Sequence, residues 1–217
     1  MIAKQIPGVT DAKEGYHHGE LPATLMRLAL CHIEKQGTEK LSLRALAREA
    51  GVSATAPYRH FPTKRCLLAA LATQGFKELD AQTQSVVAAQ ANLEARFVAM
   101  GTTYVSFALK NPVAYQLMFG SILDDFSQYK MLRDASDACY LRVQTVLQEL
   151  LDAKNLPYDV IQFGGVIWAG VHGVASLLLN QAHRIASSDP SHPQSVIMAL
   201  RDDPEAALRI MFASLLQ

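Results

Sequence analysis

The placement of proline constrains this chain more than any other feature. Nine prolines, at 7, 22, 57, 62, 112, 157, 190, 193 and 204, leave Pro-free stretches over 63–111, 113–156 and 158–189. Proline breaks a helix interior, so long helices fit only between these positions. The stretches are rich in Ala, Leu and Gln, which favour helix. No run alternates apolar and polar residues over strand length, and no Asn-Gly or Asp-Gly pair marks a hairpin. The expected class is all-α.

Local signals place the elements. Leu21, Leu25, Leu28, Ala29 and Ile33 recur at helical spacing and predict a first helix ending near Gly37. Leu43, Leu46, Ala47 and Ala50 predict a second, with Ser42 as its N-cap and Gly51 just past its end. Ser53 is placed to cap a third, short helix through about His60, and Pro62-Thr63 opens a fourth running to about Ala89. Further helices are expected near 92–110, 112–120, 127–153, 157–186 and 194–216, the last interrupted at Pro204. That makes about nine helices and no internal repeat.

Composition narrows the class. Half of the 217 residues are apolar and 18% are charged, enough for a core and too little charge for disorder. Cys31, Cys66 and Cys139 are widely spaced and form no CxxC pair. Neither a disulfide framework nor a metal site is expected, and a reducing, cytoplasmic location fits. Residues 1–15 lack the apolar stretch of a secretory signal. From Val160 to His183 there is no Lys, Arg, Asp or Glu, a length that could span a bilayer. That stretch also holds Gln162, His172, Ser176, Asn180, Gln181 and His183 without a basic flank. A helix buried in the core and at a subunit interface is the expectation, with no membrane as partner.

The zero formal charge hides a split. Residues 16–68 carry a net +4 and four of the seven histidines, whereas 69–217 carry a net −4. A basic N-terminal quarter on an acidic body suggests that one end faces an anionic polymer. Within it, segment 42–61 reads SLRALAREAGVSATAPYRHF. A short amphipathic helix, a tight turn permitted by Gly51 and a second short helix make a helix-turn-helix, with small Ala47 allowing a close crossing. Thr55, Tyr58, Arg59, His60 and Lys64 then offer hydroxyls, a guanidinium and an amine suited to phosphate oxygens and base edges.

From Tyr16 to about Gly75 the sequence resembles the TetR/AcrR-type transcriptional regulators. The resemblance rests on the pattern AxxAGVS…Y-x-HF-x-x-K, met at Ala47, Ala50, Gly51, Val52, Ser53, Tyr58, His60, Phe61 and Lys64. It implies a three-helix DNA-binding head over 16–64, with its helix-turn-helix at 42–61. A long fourth helix would join the head to a ligand-binding and dimerisation body over 65–217. It further implies that Ser53, Ala54 and Thr55 approach base edges and that Arg59 reaches a guanine or a phosphate. Tyr58, His60 and Lys64 would contact phosphate, and Ser42 and Arg44 would lie where the second helix meets the backbone. Many relatives carry a basic residue at the position of Ala54, and Pro57 falls inside the expected recognition helix, so the operator is not legible. Trp168-Ala-Gly-Val-His172-Gly173 resembles a subgroup with a Trp-His-Gly C-terminal domain.

In the body, seven of the sixteen aromatic residues fall between Phe97 and Tyr129, with Met100 and Met118 among them. Such side chains fill adaptable cavities. With the ligand pocket the resemblance implies, the candidates are Tyr104, Phe107, Met118, Phe119, Trp168 and His172. Each could equally be an ordinary core residue, and His172 could serve a structural role. Adjacent His17 and His18 read as DNA-proximal or solvent-facing. Gly165, Ala169 and Gly173 recur every four residues, a small-residue stripe expected at a homodimer interface or, alternatively, packed within the subunit.

The expected function is a one-component regulator, a repressor released from a pseudo-palindromic operator by a small apolar or amphipathic effector. Its partners would be double-stranded DNA, that effector and a second copy of the chain. The alternatives are a DNA-binding protein without ligand control and an activator. No Gly-rich phosphate loop, nucleophile elbow, HExxH or convergent carboxylate pair points to an enzyme, and no cofactor is implied.

Overall fold

The computed structural model describes residues 20–123, 125–181 and 193–215. His17, His18 and His183 lie outside the described residues. Among the described residues every regular element is helical, with α1 (Leu21–Gln36), α2 (Leu43–Glu49), α3 (Lys64–Ala88), α4 (Leu93–Lys110), α5 (Pro112–Phe119), α6 (Lys130–Lys154), α7 (Val160–Gln181), α8 (Pro193–Asp202) and α9 (Pro204–Leu215). Among the described residues there is no strand.

Caps explain several boundaries. The Thr63 hydroxyl accepts from the Cys66 amide and starts α3, and the Asn92 side chain accepts from the Ala95 amide and starts α4. Gly37 and Gly51, at φ 79° and 69°, end the first two helices in backbone that other residues rarely adopt. Asn155 ends α6 in the left-handed region at φ 51°. Pro204 separates α8 from α9, as its missing donor requires.

Three expectations are corrected. Ser42 occupies the N-cap of α2, but its side chain makes no capping bond. The third helix is a single 3-10 turn, Ala56–Arg59, and Ser53 does not cap it. Pro57 is the cause: a proline is tolerated only in the first turn, so helical geometry begins beside it and not at Ser53. The helix expected over 127–153 starts at Lys130, after a separate 3-10 turn at Phe126–Gln128.

Two apolar clusters hold the molecule together. The first joins Leu25, Ala29, Leu46 and Phe61 of the N-terminal part to Leu68, Leu71 and Phe76 of α3, then continues through Leu117 and Met118 to Leu132. The second lies among α4, α6, α7 and α9 and contains Phe97, Val105, Leu147, Ile167, Leu208 and Phe212. Helix α3 starts at Lys64, and its buried Leu67, Leu68, Leu71 and Phe76 belong to the same core as α1 and α2. Arg142 ties α6 to α3 through both carboxylate oxygens of Asp80, one of them at 3.1 Å. Apolar α7 is long and hydrophobic enough to cross a membrane by length and composition alone. Phe163, Ile167, Val171, Ala175 and Leu178 nevertheless bury one of its faces in the second cluster.

Candidate functional site

The helix-turn-helix is built by backbone geometry at Gly51. The Val52 amide donates to the Ala47 carbonyl at 2.9 Å, folding the chain back over fully buried Ala47. Both the His60 and Phe61 amides donate to the Pro57 carbonyl, and buried Phe61 anchors the turn in the core. The outer side is polar: Ser42, Arg44, Ser53, Ala54, Thr55, Arg59 and His60 are exposed, and Tyr58 is 41% exposed. Ser53 Oγ lies 3.3 Å from Thr55 Oγ1. Lys64 is half-buried, and its ammonium donates to the Glu39 carbonyl at 3.1 Å. It therefore braces the loop between α1 and α2 against α3 while standing at the expected contact surface.

Behind this face, His32 of α1 faces Glu49 of α2, with Nε2 3.0 Å from the carboxylate, while His32 Nδ1 is buried without a partner. The pair bridges these two helices, and the sequence carries no signal for it.

The body gathers five rings at one place. Tyr104 of α4, Tyr115 and Phe119 of α5, and Trp168 and His172 of α7 have ring centroids between 5.0 and 6.4 Å apart. The Tyr115 hydroxyl lies 2.7 Å and the Tyr104 hydroxyl 2.9 Å from His172 Nδ1, and Tyr104 donates to Tyr115 at 3.3 Å. Burial raises the Tyr104 and Tyr115 hydroxyls above the ordinary tyrosine value, and burial lowers His172. All three are thus held neutral near pH 7.

Four of the six expected pocket residues meet here: Tyr104, Phe119, Trp168 and His172. Phe107 is completely buried in the first cluster, and buried Met118 lies under Gly75, where an added Cβ would come within 2.6 Å of its sulfur. These two side chains fill the core. Tyr115 was missing from the expected set although it stands in the aromatic-rich segment; its place depends on the corner between α4 and α5 at Asn111-Pro112. Tyr104 and Phe119 pack against both apolar clusters, so the ring group sits where the two cores meet. Phe119 also touches Phe76 of α3 edge-on, at 5.4 Å.

The small-residue stripe points outward. A Cβ at Gly165 or Gly173 would meet nothing within 4 Å. The close helix contact within the subunit is at Gly170, under Met211 of α9. Around the stripe stand Ile161, Val166 and Leu177 of α7, all exposed, with Ile161 at 61%. At the N-terminal end of α4, Asn92, Glu94, Phe97, Lys154, Arg209 and Phe212 line a cleft of about 460 Å³. No group of three metal-ligating side chains occurs among the described residues.

Comparison with known proteins agrees with this architecture. The family model for bacterial regulatory proteins of the tetR family matches residues 25–71, and that for the tetracyclin repressor-like C-terminal domain matches 97–213. A solved protein of unknown function from Rhodococcus sp. RHA1 is 34% identical, with a TM-score of 0.71 over 90% of this chain and 98% of that one. The fatty acid degradation regulator FadR from Bacillus halodurans, 14% identical, shares the fold with a TM-score of 0.62 over 89% of this chain and 96% of its own. Nucleoid occlusion factor SlmA of Vibrio vulnificus (strain YJ016) is 26% identical over 130 residues, 59% of this chain. That match spans 65% of SlmA, just under two thirds of the length of this curated relative. The Trp-His-Gly subgroup rests on residues 168–173 alone. Two domain matches that together run from the helix-turn-helix to α9 place the chain in the TetR family of bacterial regulatory proteins.

Proposed function

We propose that the protein is a homodimeric, one-component DNA-binding transcriptional repressor that releases its operator when a small molecule binds the body. It acts in the cytoplasm as a regulator and not as an enzyme. The observation that carries this is the exposed polar row Arg44, Thr55, Tyr58 and Arg59 around the Gly51 turn, rooted in a core that continues to the ring group. Residues 16–64 form the DNA-binding part and 65–217 the ligand and dimer part. Ser53, Ala54 and Thr55 read base edges; Arg59 reaches a base or phosphate; Ser42, Arg44, Tyr58, His60 and Lys64 hold the backbone. The outward stripe Gly165, Ala169 and Gly173 seats the second copy. A two-fold dimer presents two such heads to half-sites about one DNA turn apart.

Ligand control follows from placement. A molecule that shifts Phe119 moves a residue packed on both cores and on Phe76 of α3. It then favours a body geometry in which the heads no longer fit successive major grooves. The test is titration of the purified protein against its own upstream intergenic DNA and a scrambled duplex at two salt concentrations. Selective, salt-sensitive binding by a dimer is expected. Equally weak binding to both duplexes, followed by failure of random-sequence selection to yield a site, overturns the function.

A further inference from the structure

The ring group has a hydrogen-bonding surplus. Tyr104, Tyr115 and neutral His172 own three donor protons, one on each hydroxyl and one on the imidazole. Tyr104 donates to Tyr115, and the edge between Tyr115 and His172 Nδ1 needs one proton more. Nε2 is left outside these bonds in either tautomer. When Nδ1 accepts, Nε2–H is a spare donor; when Nδ1 donates, the Tyr115 proton turns to the Ser176 side chain and Nε2 is a spare acceptor. Nε2 has no hydrogen-bond partner among the described residues. Against the imidazole stands Trp168, four residues earlier on α7, its ring centroid 5.2 Å away, its side chain hydrogen-bonded to Tyr104 and 51% of its surface exposed. The inner rings pack on one another edge-on and tilted, so they do not enclose the empty cage that a bulky ammonium requires. None of the hydrogen bonds of the trio reaches a Lys, Arg, Asp or Glu, so an ionised guest would lose hydration without gaining a counter-charge.

We propose that this site selects an uncharged planar molecule bearing one hydroxyl or carbonyl group, stacked on Trp168 and hydrogen-bonded at His172 Nε2. The inference rests on the ligand-controlled reading above and adds the chemical class of the effector. The class excludes carboxylates, ammonium compounds and plain hydrocarbons as preferred ligands.

Equilibrium dialysis of the whole protein against 4-ethylphenol, 4-ethylbenzoate, protonated 4-ethylbenzylamine and ethylbenzene tests it. Trp168 is the chain's single tryptophan, so its emission reports occupancy of the site directly. The phenol is expected to bind about tenfold tighter than the other three, as one additional satisfied hydrogen bond allows. His172→Gln should bring the phenol to within about twofold of ethylbenzene, and Tyr115→Phe, which removes only a hydroxyl, should reduce its affinity about fivefold. Preference for the carboxylate or the amine, equal binding of ethylbenzene, no change in Trp168 emission, or no binding by any compound overturns the class. Phenol selectivity without any change in operator occupancy keeps the class and removes ligand control. Operator release by the carboxylate alone keeps ligand control and removes the class.

Discussion

The head and the outer half of the body leave opposite surfaces uncovered. Around the Gly51 turn the exposed groups are Arg44, Arg48, Thr55, Arg59 and His60. Along α7 and α9 they are Ile161, Val166, Leu177 and Ile210, the last 73% exposed. A guanidinium in water is well solvated, whereas exposed apolar surface costs about 25 cal/mol per Å² relative to burial. The interiors show the reverse. Apart from the buried Nδ1 edge of His32, the head core is aliphatic and aromatic carbon, whereas the body holds a tyrosine–tyrosine–histidine trio between its two clusters. Under the proposed function the polar face of the head meets DNA and the apolar face of the outer body meets a second copy.

The most disruptive test of that contrast is Val166→Glu. If this face is buried between two copies, two-fold symmetry buries two unpaired carboxylates, each costing about 3–5 kcal/mol. Mass measurement at micromolar concentration should find a monomer that keeps its helical circular dichroism. A dimer of unchanged mass would detach the apolar face from assembly and leave the contrast with only its polar half.

Leu46→Ala probes how far the two regions are separate. Leu46 is completely buried in the cluster that runs from α1 to α6. Its truncation should cost about 2–5 kcal/mol. Because the cluster is continuous, the loss should appear as one cooperative denaturation shifted to lower urea. An early, separate transition confined to the head would show that the shared core does not couple the two.

The same contrast decides what was legible in the sequence. Helix existence in the head followed from local signals: Leu25 and Ala29 at helical spacing, Gly51 for the turn, Thr63 for the start of α3. The difference there is also local: the expected helix begins at Ser53, and Pro57 postpones helical geometry to Ala56. In the body the aromatic-rich segment was visible, but its internal order was not. Phe107 and Met118 turn into the core while Tyr115 turns towards His172, 57 residues away. The Asp80–Arg142 pair and the inner contact at Gly170 likewise depend on how helices cross. Periodicity records which face of a helix is apolar; it does not record which neighbour that face meets.

Arg59→Ala sharpens the polar side. The exposed guanidinium should contribute about 1–3 kcal/mol to operator binding. Lys64→Ala separates bracing from phosphate contact, because its ammonium already serves the Glu39 carbonyl. A phosphate contact reduces the salt slope by about 1, measured by fluorescence anisotropy over a salt series. An unchanged slope with a lowered thermal midpoint assigns Lys64 to bracing alone.

The smallest expected effect tests the buried polar trio through pH. The imidazole of His172 is surrounded by Tyr104, Tyr115, Phe119 and Trp168, and burial holds its folded pKa below the ordinary value. Well above about pH 6.5 the residue is neutral both folded and unfolded and its titration leaves stability unchanged. As the pH falls below that, the unfolded chain takes up a proton that the folded chain resists, so stability falls with falling pH. The loss is complete once the pH lies below the folded pKa. His172→Gln removes the titration while keeping a polar group beside the two hydroxyls. Thermal midpoints of the parent chain should drop more steeply than those of the variant between about pH 7 and about pH 5. Parallel slopes would mean that the imidazole titrates as if in water and that burial does not hold it neutral.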